Sequence, residues 1–185
     1  IARRVATALG FHLLDSGALY RLVALAGSQQ GVAADDQEGH ARVARGLEVQ
    51  FGMDGAGEER ILLAGKDVTR VIRTETAGAE ASRVAAMPPV RTALLNRQHA
   101  FAQPPGLVAD GRDMGTVVFP GSPLKIYLTA SPEERARRRH KQLKDKGLTV
   151  TIAGLSQEIR ERDLRDSSRP VAPLRPAEDA LILDS

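Results

Sequence analysis

Ile1, Val5, Ala8 and Leu9 share one face of a helix that opens the chain, and Gly10 suits the left-handed residue that ends such a helix. Residues 11–14 then read as a short buried strand, punctuated by Asp15, Ser16 and Gly17. Over residues 18–28 the apolar positions Leu19, Leu22, Val23 and Ala26 return to helical spacing, so the segment reads strand, polar turn, helix. A further helix is expected after Asp36, ending near Gly46. Between Leu47 and Val68 the pattern changes. Glu48, Val49, Gln50 and Phe51 alternate, Asp54, Gly55, Ala56 and Gly57 form a turn, and Ile61, Leu62 and Leu63 follow, which predicts an inserted antiparallel hairpin.

Helices resume over 74–86 and 90–102, the latter started by Pro88 and Pro89 and stopped by Pro104 and Pro105. Residues 107–109 and 125–128 are short strand candidates rich in branched side chains. Ser131, Pro132, Glu133 and Glu134 make a helix start, with serine as cap, proline at the first helical position and a glutamate three residues after the cap. That helix should run to Gly147 and another from 153 to about 168. A loop marked by Pro170, Pro173 and Pro176 leads to a final strand over 180–183. Short apolar strands alternating with helices argue for an α/β fold, a parallel sheet flanked by helices with the hairpin as an excursion. Ligands in such sheets sit at the C-terminal ends of strands. That singles out Asp15-Ser16-Gly17 and Asp110-Gly111-Arg112-Asp113.

With 185 residues and 42% hydrophobic content, the chain suffices for one substantial core. Its 26 lysines and arginines meet 23 aspartates and glutamates, a net charge of +3 that does not indicate a nucleic-acid binder. Only 3% of residues are aromatic, poor material for stacking bases. The absence of cysteine removes disulfides and thiolate chemistry and fits a reducing compartment. Arg3, Arg4, His12 and Asp15 break the first apolar stretch, which is neither a signal-peptide core nor a membrane span, and a cytoplasmic protein is expected.

Four groupings carry chemistry. Ser16 and Arg21 begin a helix, where free amides and a guanidinium suit a phosphate, or where they make an ordinary N-cap and a surface arginine. Arg112, between Asp110 and Asp113, is placed to clamp a phosphoryl group or to lie in a solvated turn. Arg162, Asp166 and Arg169 fall on one helix stripe with Arg165 beside them, suited to phosphate and sugar or to exposed ion pairing. Seven basic residues (Arg135, Arg137, Arg138, Arg139, Lys141, Lys144 and Lys146) stand against Asp145, a solvated face or a surface for a phosphate-rich ligand. His12, His40, His99 and His140 lack metal-ligand spacing.

The segments FHLLDSGALYR from Phe11 to Arg21, ADGRDMGTVVFP from Ala109 to Pro120, ERDLRD from Glu161 to Asp166, and Arg169 with VAP from Val171 to Pro173 resemble the signature segments of bacterial cytidylate kinases, in order along nearly the whole chain. The resemblance implies a P-loop nucleoside monophosphate kinase fold. Its core would comprise 1–46, 87–130 and 177–185, with a monophosphate-binding insertion over about 47–86 and a helical lid over about 131–176. It implies transfer of the terminal phosphoryl group of ATP, with Mg2+ bound through ATP, to CMP or dCMP. By position, Ser16, Arg21 and Arg112 would hold the acceptor phosphate, with Arg169 joining from the lid. Ser82, Arg91 and Asp113 fall where the family reads cytosine, Arg162 and Asp166 where it grips the ribose, and Arg138 and Arg139 where the donor nucleotide approaches. A cytoplasmic monomer without nucleic-acid or membrane partners is implied.

The family's glycine-rich phosphate loop, of the form G-x-x-x-x-G-K, would directly precede Ile1, and a C-terminal helix would follow Ser185. Ser167-Ser168 replaces a more polar pair usual before the lid arginine. There are two rival readings, the first disfavoured by the residues at the cytosine-reading positions, Ser82, Arg91 and Asp113. One is a small P-loop kinase acting on a different acceptor, and the other is a non-enzymatic module binding RNA or acidic partners through the basic helix.

Overall fold

The computed structural model describes residues 1–55, 57–145 and 149–185. It divides into two compact units, Ile1–Arg112 and Asp113–Ser185.

In the first unit, α1 (Ala2–Leu9) stops where the sequence expects. Gly10 takes φ 65°, a conformation that costs glycine little, and the next amide, of Phe11, returns to the Ala6 carbonyl at 2.9 Å. The strand β1 (His12–Asp15) feeds directly into α2 (Ser16–Gln29), which buries Leu19, Leu22, Val23 and Ala26. Asp36 caps α3 (Gln37–Arg45) by accepting from the Gly39 amide at 2.7 Å. The expected hairpin is present as β2 (Val49–Met53) antiparallel to β3 (Glu59–Leu63), with a short β4 (Lys66–Asp67) added to its edge; Ala56 of the turn lies outside the described residues.

A single 3-10 turn, Val71–Arg73, leads to α4 (Glu75–Val84), capped by Thr74, and then to α5 (Pro88–His99), whose prolines open it. Helices α2 to α5 bury their apolar faces against one another, with Val90 and Leu94 fully enclosed. At the closest approach the Gly27 backbone lies against the His40 ring, where an added Cβ would stand 2.9 Å from Nε2. The strand β5 (Leu107–Asp110) pairs parallel with β1, so that Asp15 is the register partner of Asp110.

In the second unit, Met114–Val118 form a π-helical turn that local sequence did not announce. Strands β6 (Ile126–Thr129) and β7 (Leu181–Asp184) pair parallel, as the alternating pattern implies. The expected cap of α6 (Pro132–Asp145) is made: Ser131 Oγ accepts from the Glu134 amide at 3.1 Å. Its expected end at Gly147 falls outside the described residues. Thr151 caps α7 (Ile152–Ser168), and the two helices enclose Ala136, Leu143 and Leu155, with Val150 and Ile159 packed against them. No helix among the described residues is long and apolar enough to cross a membrane.

Candidate functional site

Leu14, 1% exposed, anchors the end of β1 and delivers Asp15 to the start of α2. Asp15 Oδ1 accepts from the Ala18 amide at 2.9 Å, so the aspartate is the cap and Ser16 is the first helical residue. The serine is thereby turned inward. It is 2% exposed and its Oγ donates to Gln98 Oε1 at 2.8 Å, a buried partner on α5 that sequence reasoning missed.

Arg21, one turn further along α2, reaches the backbone around the 3-10 turn. Its Nη1 donates to the carbonyls of Ile72 at 2.6 Å and Thr74 at 3.2 Å. Between those two lies Arg73, also missed. Its Nη1 donates to Asp15 Oδ2 at 2.8 Å and its Nη2 to Glu59 Oε2 at 2.7 Å, and Arg3 pairs with the other oxygen of Glu59. Burial works against the charge on Arg73, but the bonds to Asp15 and Glu59 outweigh it and hold the guanidinium above its ordinary value. Its one local signal was its place immediately before the Thr74 cap.

At the end of β5, withdrawal from water first, and repulsion from Asp15 second, push the Asp110 carboxyl above the usual aspartate range. Arg112 and Arg73 act in the opposite direction. Arg112 closes the first unit two residues beyond.

Arg91 and Ser82 are both buried, on α5 and α4. Arg91 Nη1 donates to the Ala85 carbonyl at 3.1 Å, and its guanidinium stands 5.8 Å from the centre of the Tyr20 ring on α2. Ser16 and Arg21 thus belong to α2, Arg91 of α5 stands over its Tyr20, and Ser82 lies on α4, which packs against it.

In the second unit Asp113 is 3% exposed and its backbone is tightly fixed: its carbonyl accepts from the amides of Thr116, Val117 and Val118 at 3.3, 2.9 and 3.2 Å. That π-helical turn leaves Gly115 flat against the stem of Lys125, where a Cβ would stand 3.1 Å from the lysine Cδ. Lys125 is in turn held by both oxygens of Asp179, at 2.8 and 2.7 Å.

The stripe read on α7 also forms. Asp166 is flanked by Arg162 Nε at 3.9 Å and Arg169 Nη1 at 3.9 Å, with Asp166 and Arg169 both buried. Arg169 stands at the end of the helix, where its Nε donates to the Ala172 carbonyl, and the Leu174 amide returns to the Asp166 carbonyl at 2.7 Å. The basic run on α6 is partly paired. Arg135 bonds Asp163, which chiefly accounts for its guanidinium being held above the ordinary value. Arg138 bonds Glu134 at 2.9 Å and Ser185 at 3.2 Å, and Arg139 bonds Gln142 at 3.4 Å. Lys146 lies outside the described residues.

Comparison with known proteins agrees with these motifs. The family model described as cytidylate kinase matches residues 1–185. A cytidylate kinase of Pseudomonas aeruginosa (strain LESB58) is 61% identical over 186 residues, spanning all of this chain and 81% of the relative. One from Stutzerimonas stutzeri (strain A1501) is 61% identical over 187 residues, with the same coverage. One from Colwellia psychrerythraea is 57% identical over 185 residues, covering all of this chain and 82% of the relative. The segments around Ser16, Arg112, Asp166 and Arg169 thus stand in a chain that, by whole-length similarity, belongs to the cytidylate kinase family.

Proposed function

We propose that the protein transfers the terminal phosphoryl group of ATP to the 5'-phosphate of CMP or dCMP, with Ser16, Arg21 and Arg112 serving the acceptor phosphate. The observation that carries this assignment is that Ser16 and Arg21 both stand near the start of α2, directly after β1, while Arg91 of α5 stands over Tyr20 of the same helix. Arg91, with Ser82 and Asp113, reads the cytosine. Arg162 and Asp166 hold the ribose, and Arg169 adds positive charge at the acceptor phosphate.

Phosphoryl transfer asks little covalent chemistry of a protein. It requires donor and acceptor in line, charge neutralised on the equatorial oxygens, and water excluded. Guanidinium groups meet the second requirement because they remain charged and donate in a planar fork. The attacking atom is a phosphate oxygen already ionised near neutral pH, so no strong base is needed to create it. The π-helical turn supports Asp113 in its role, since three amides on one carbonyl fix the backbone from which its carboxylate projects. Magnesium is expected to arrive on the ATP polyphosphate. Among the described residues no group of three or more histidine, cysteine or acidic side chains could hold it independently. Arg138 and Arg139 approach the donor, and the helix pair α6–α7 closes as a lid that keeps water from the donor.

The test is a coupled assay on the full-length protein with ATP, magnesium and each of CMP, dCMP, UMP and AMP. CDP and dCDP formation at a kcat/KM at least tenfold above UMP and AMP is expected, and equal use of AMP would refute the acceptor assignment.

A further inference from the structure

Arg73 is not among the residues assigned above to substrate, yet it joins two parts of the chain that must stay in fixed relation for α2 to receive a phosphate. One guanidinium nitrogen bonds Asp15 at 2.8 Å, and the other bonds Glu59 at 2.7 Å across 14 residues of the insertion. Asp15 divides its carboxylate, one oxygen capping α2 at Ala18 and the other accepting from Arg73. From the opposite side, Arg21 holds the carbonyls of Ile72 and Thr74, the residues on either side of Arg73. The two arginines therefore make a reciprocal clasp. An arginine of α2 grips the backbone of the insertion, and an arginine of the insertion grips the cap of α2.

We propose that Arg73 is a positioning residue for the acceptor phosphate: it locks Asp15 as the cap of α2 and fixes the backbone to which Arg21 is bonded, so that the first turn of α2 and the Arg21 guanidinium are preorganised before the nucleotide arrives. This rests on the proposed reading of Ser16 and Arg21 as phosphate-holding groups.

Arginine suits this task and lysine does so only in part. A planar fork can serve two carboxylates at once, whereas an ammonium is a compact point charge that must favour one of them. Removing the fork leaves Asp15 facing Asp110, its register partner, without the neighbouring cation. The cost falls on acceptor binding rather than on the donor, because each group the clasp holds belongs to β1, α2 or the inserted segment.

The experiment compares full-length wild type with Arg73→Met, Arg73→Lys and Glu59→Gln. It measures KM for CMP and for ATP, and amide hydrogen exchange in the first turn of α2. Arg73→Met is expected to raise the KM for CMP at least tenfold with the KM for ATP within about twofold. Arg73→Lys should recover part of the loss, Glu59→Gln should raise the KM for CMP severalfold, and exchange at Ala18 should quicken in Arg73→Met. An unchanged KM for CMP in Arg73→Met overturns the proposal, as does an equal rise in both KM values. If Arg73→Met does not fold, Arg73→Lys carries the test, since it keeps a cation and removes the planar fork that serves both carboxylates, and an unchanged KM for CMP there is equally fatal. A wild type inactive on CMP would refute the activity instead; the clasp would then stand or fall on whether Ala18 exchange quickens.

Discussion

Asp15 and Asp110 are register partners at the C-terminal ends of two paired parallel strands, and Asp15 is the one bonded by Arg73. Withdrawal from water first, and the like charge of Asp15 second, raise the pKa of Asp110, the less supported carboxyl. A carboxyl raised in the folded state binds its proton more tightly there than in the unfolded chain. The resulting penalty is absent below the ordinary aspartate value, grows as pH rises from it through the folded value, and is full above that. Asp110→Asn should therefore raise the urea midpoint of the full-length protein at pH 7, with the gain shrinking as pH falls toward about 4. A gain independent of pH would show that ionisation of Asp110 is not its source.

Arg112→Ala should lose catalysis and keep its fold. Donors preorganised toward developing phosphoryl charge contribute about 2.7 to 4 kcal/mol, so kcat should fall by about a hundredfold or more. Thermal melting of the full-length variant should stay close to wild type. A fall in turnover of less than about tenfold would contradict the assigned role.

Asp113→Asn addresses base choice. Cytosine offers an amino group where uracil offers a carbonyl oxygen, so a carboxylate accepts from the first and repels the second. The amide removes the repulsion and supplies a donor, and the preference for CMP over UMP in kcat/KM should fall by about tenfold or more, in line with roughly 1.5 to 3 kcal/mol for a hydrogen bond to a charged group. Kinetic titrations of both nucleotides on wild type and variant decide it. An unchanged ratio would remove Asp113 from base recognition.

Gly27→Ala tests the packing of α2 on α3. The added methyl would meet the His40 ring at 2.9 Å, and that ring is buried and tied through Nδ1 to the Asp36 carbonyl at 2.8 Å. Overpacking of this kind costs about 1 to 3 kcal/mol. Urea denaturation should show a loss in that range with an unchanged KM for ATP, and wild-type stability would mean that α3 shifts freely.

The legible parts of this fold are those written in neighbouring residues. Gly10 ends α1, Asp36 starts α3, and Ser131 with Pro132 and Glu134 starts α6, because each depends on groups within a few positions along the chain. The stripe of Arg162, Asp166 and Arg169 was legible for the same reason, through helical spacing. The partners of Ser16 and Arg73 were not. Gln98 is 82 residues from the serine and Asp15 is 58 residues from Arg73, so only the folded chain brings them together. Sequence left Ser16 a choice between capping and binding, and the structure gives the cap to Asp15 because the strand delivers that carboxylate, rather than the serine hydroxyl, to the Ala18 amide. The π-helical turn at Met114–Val118 also escaped notice, since its stem is a backbone carbonyl shared among three amides, which no side-chain pattern advertises.

The helix pair α6–α7 has a small apolar interior, Ala136, Leu143 and Leu155, and is laced across by Arg135 to Asp163 and Arg160 to Glu133. Attraction between partly exposed charges weakens as salt screens it, whereas apolar burial does not. With so small an apolar interior, this hairpin is therefore tuned by the ionic medium. Raised salt will lower the free energy needed to open it locally, so that ionic strength acts as a throttle on its breathing.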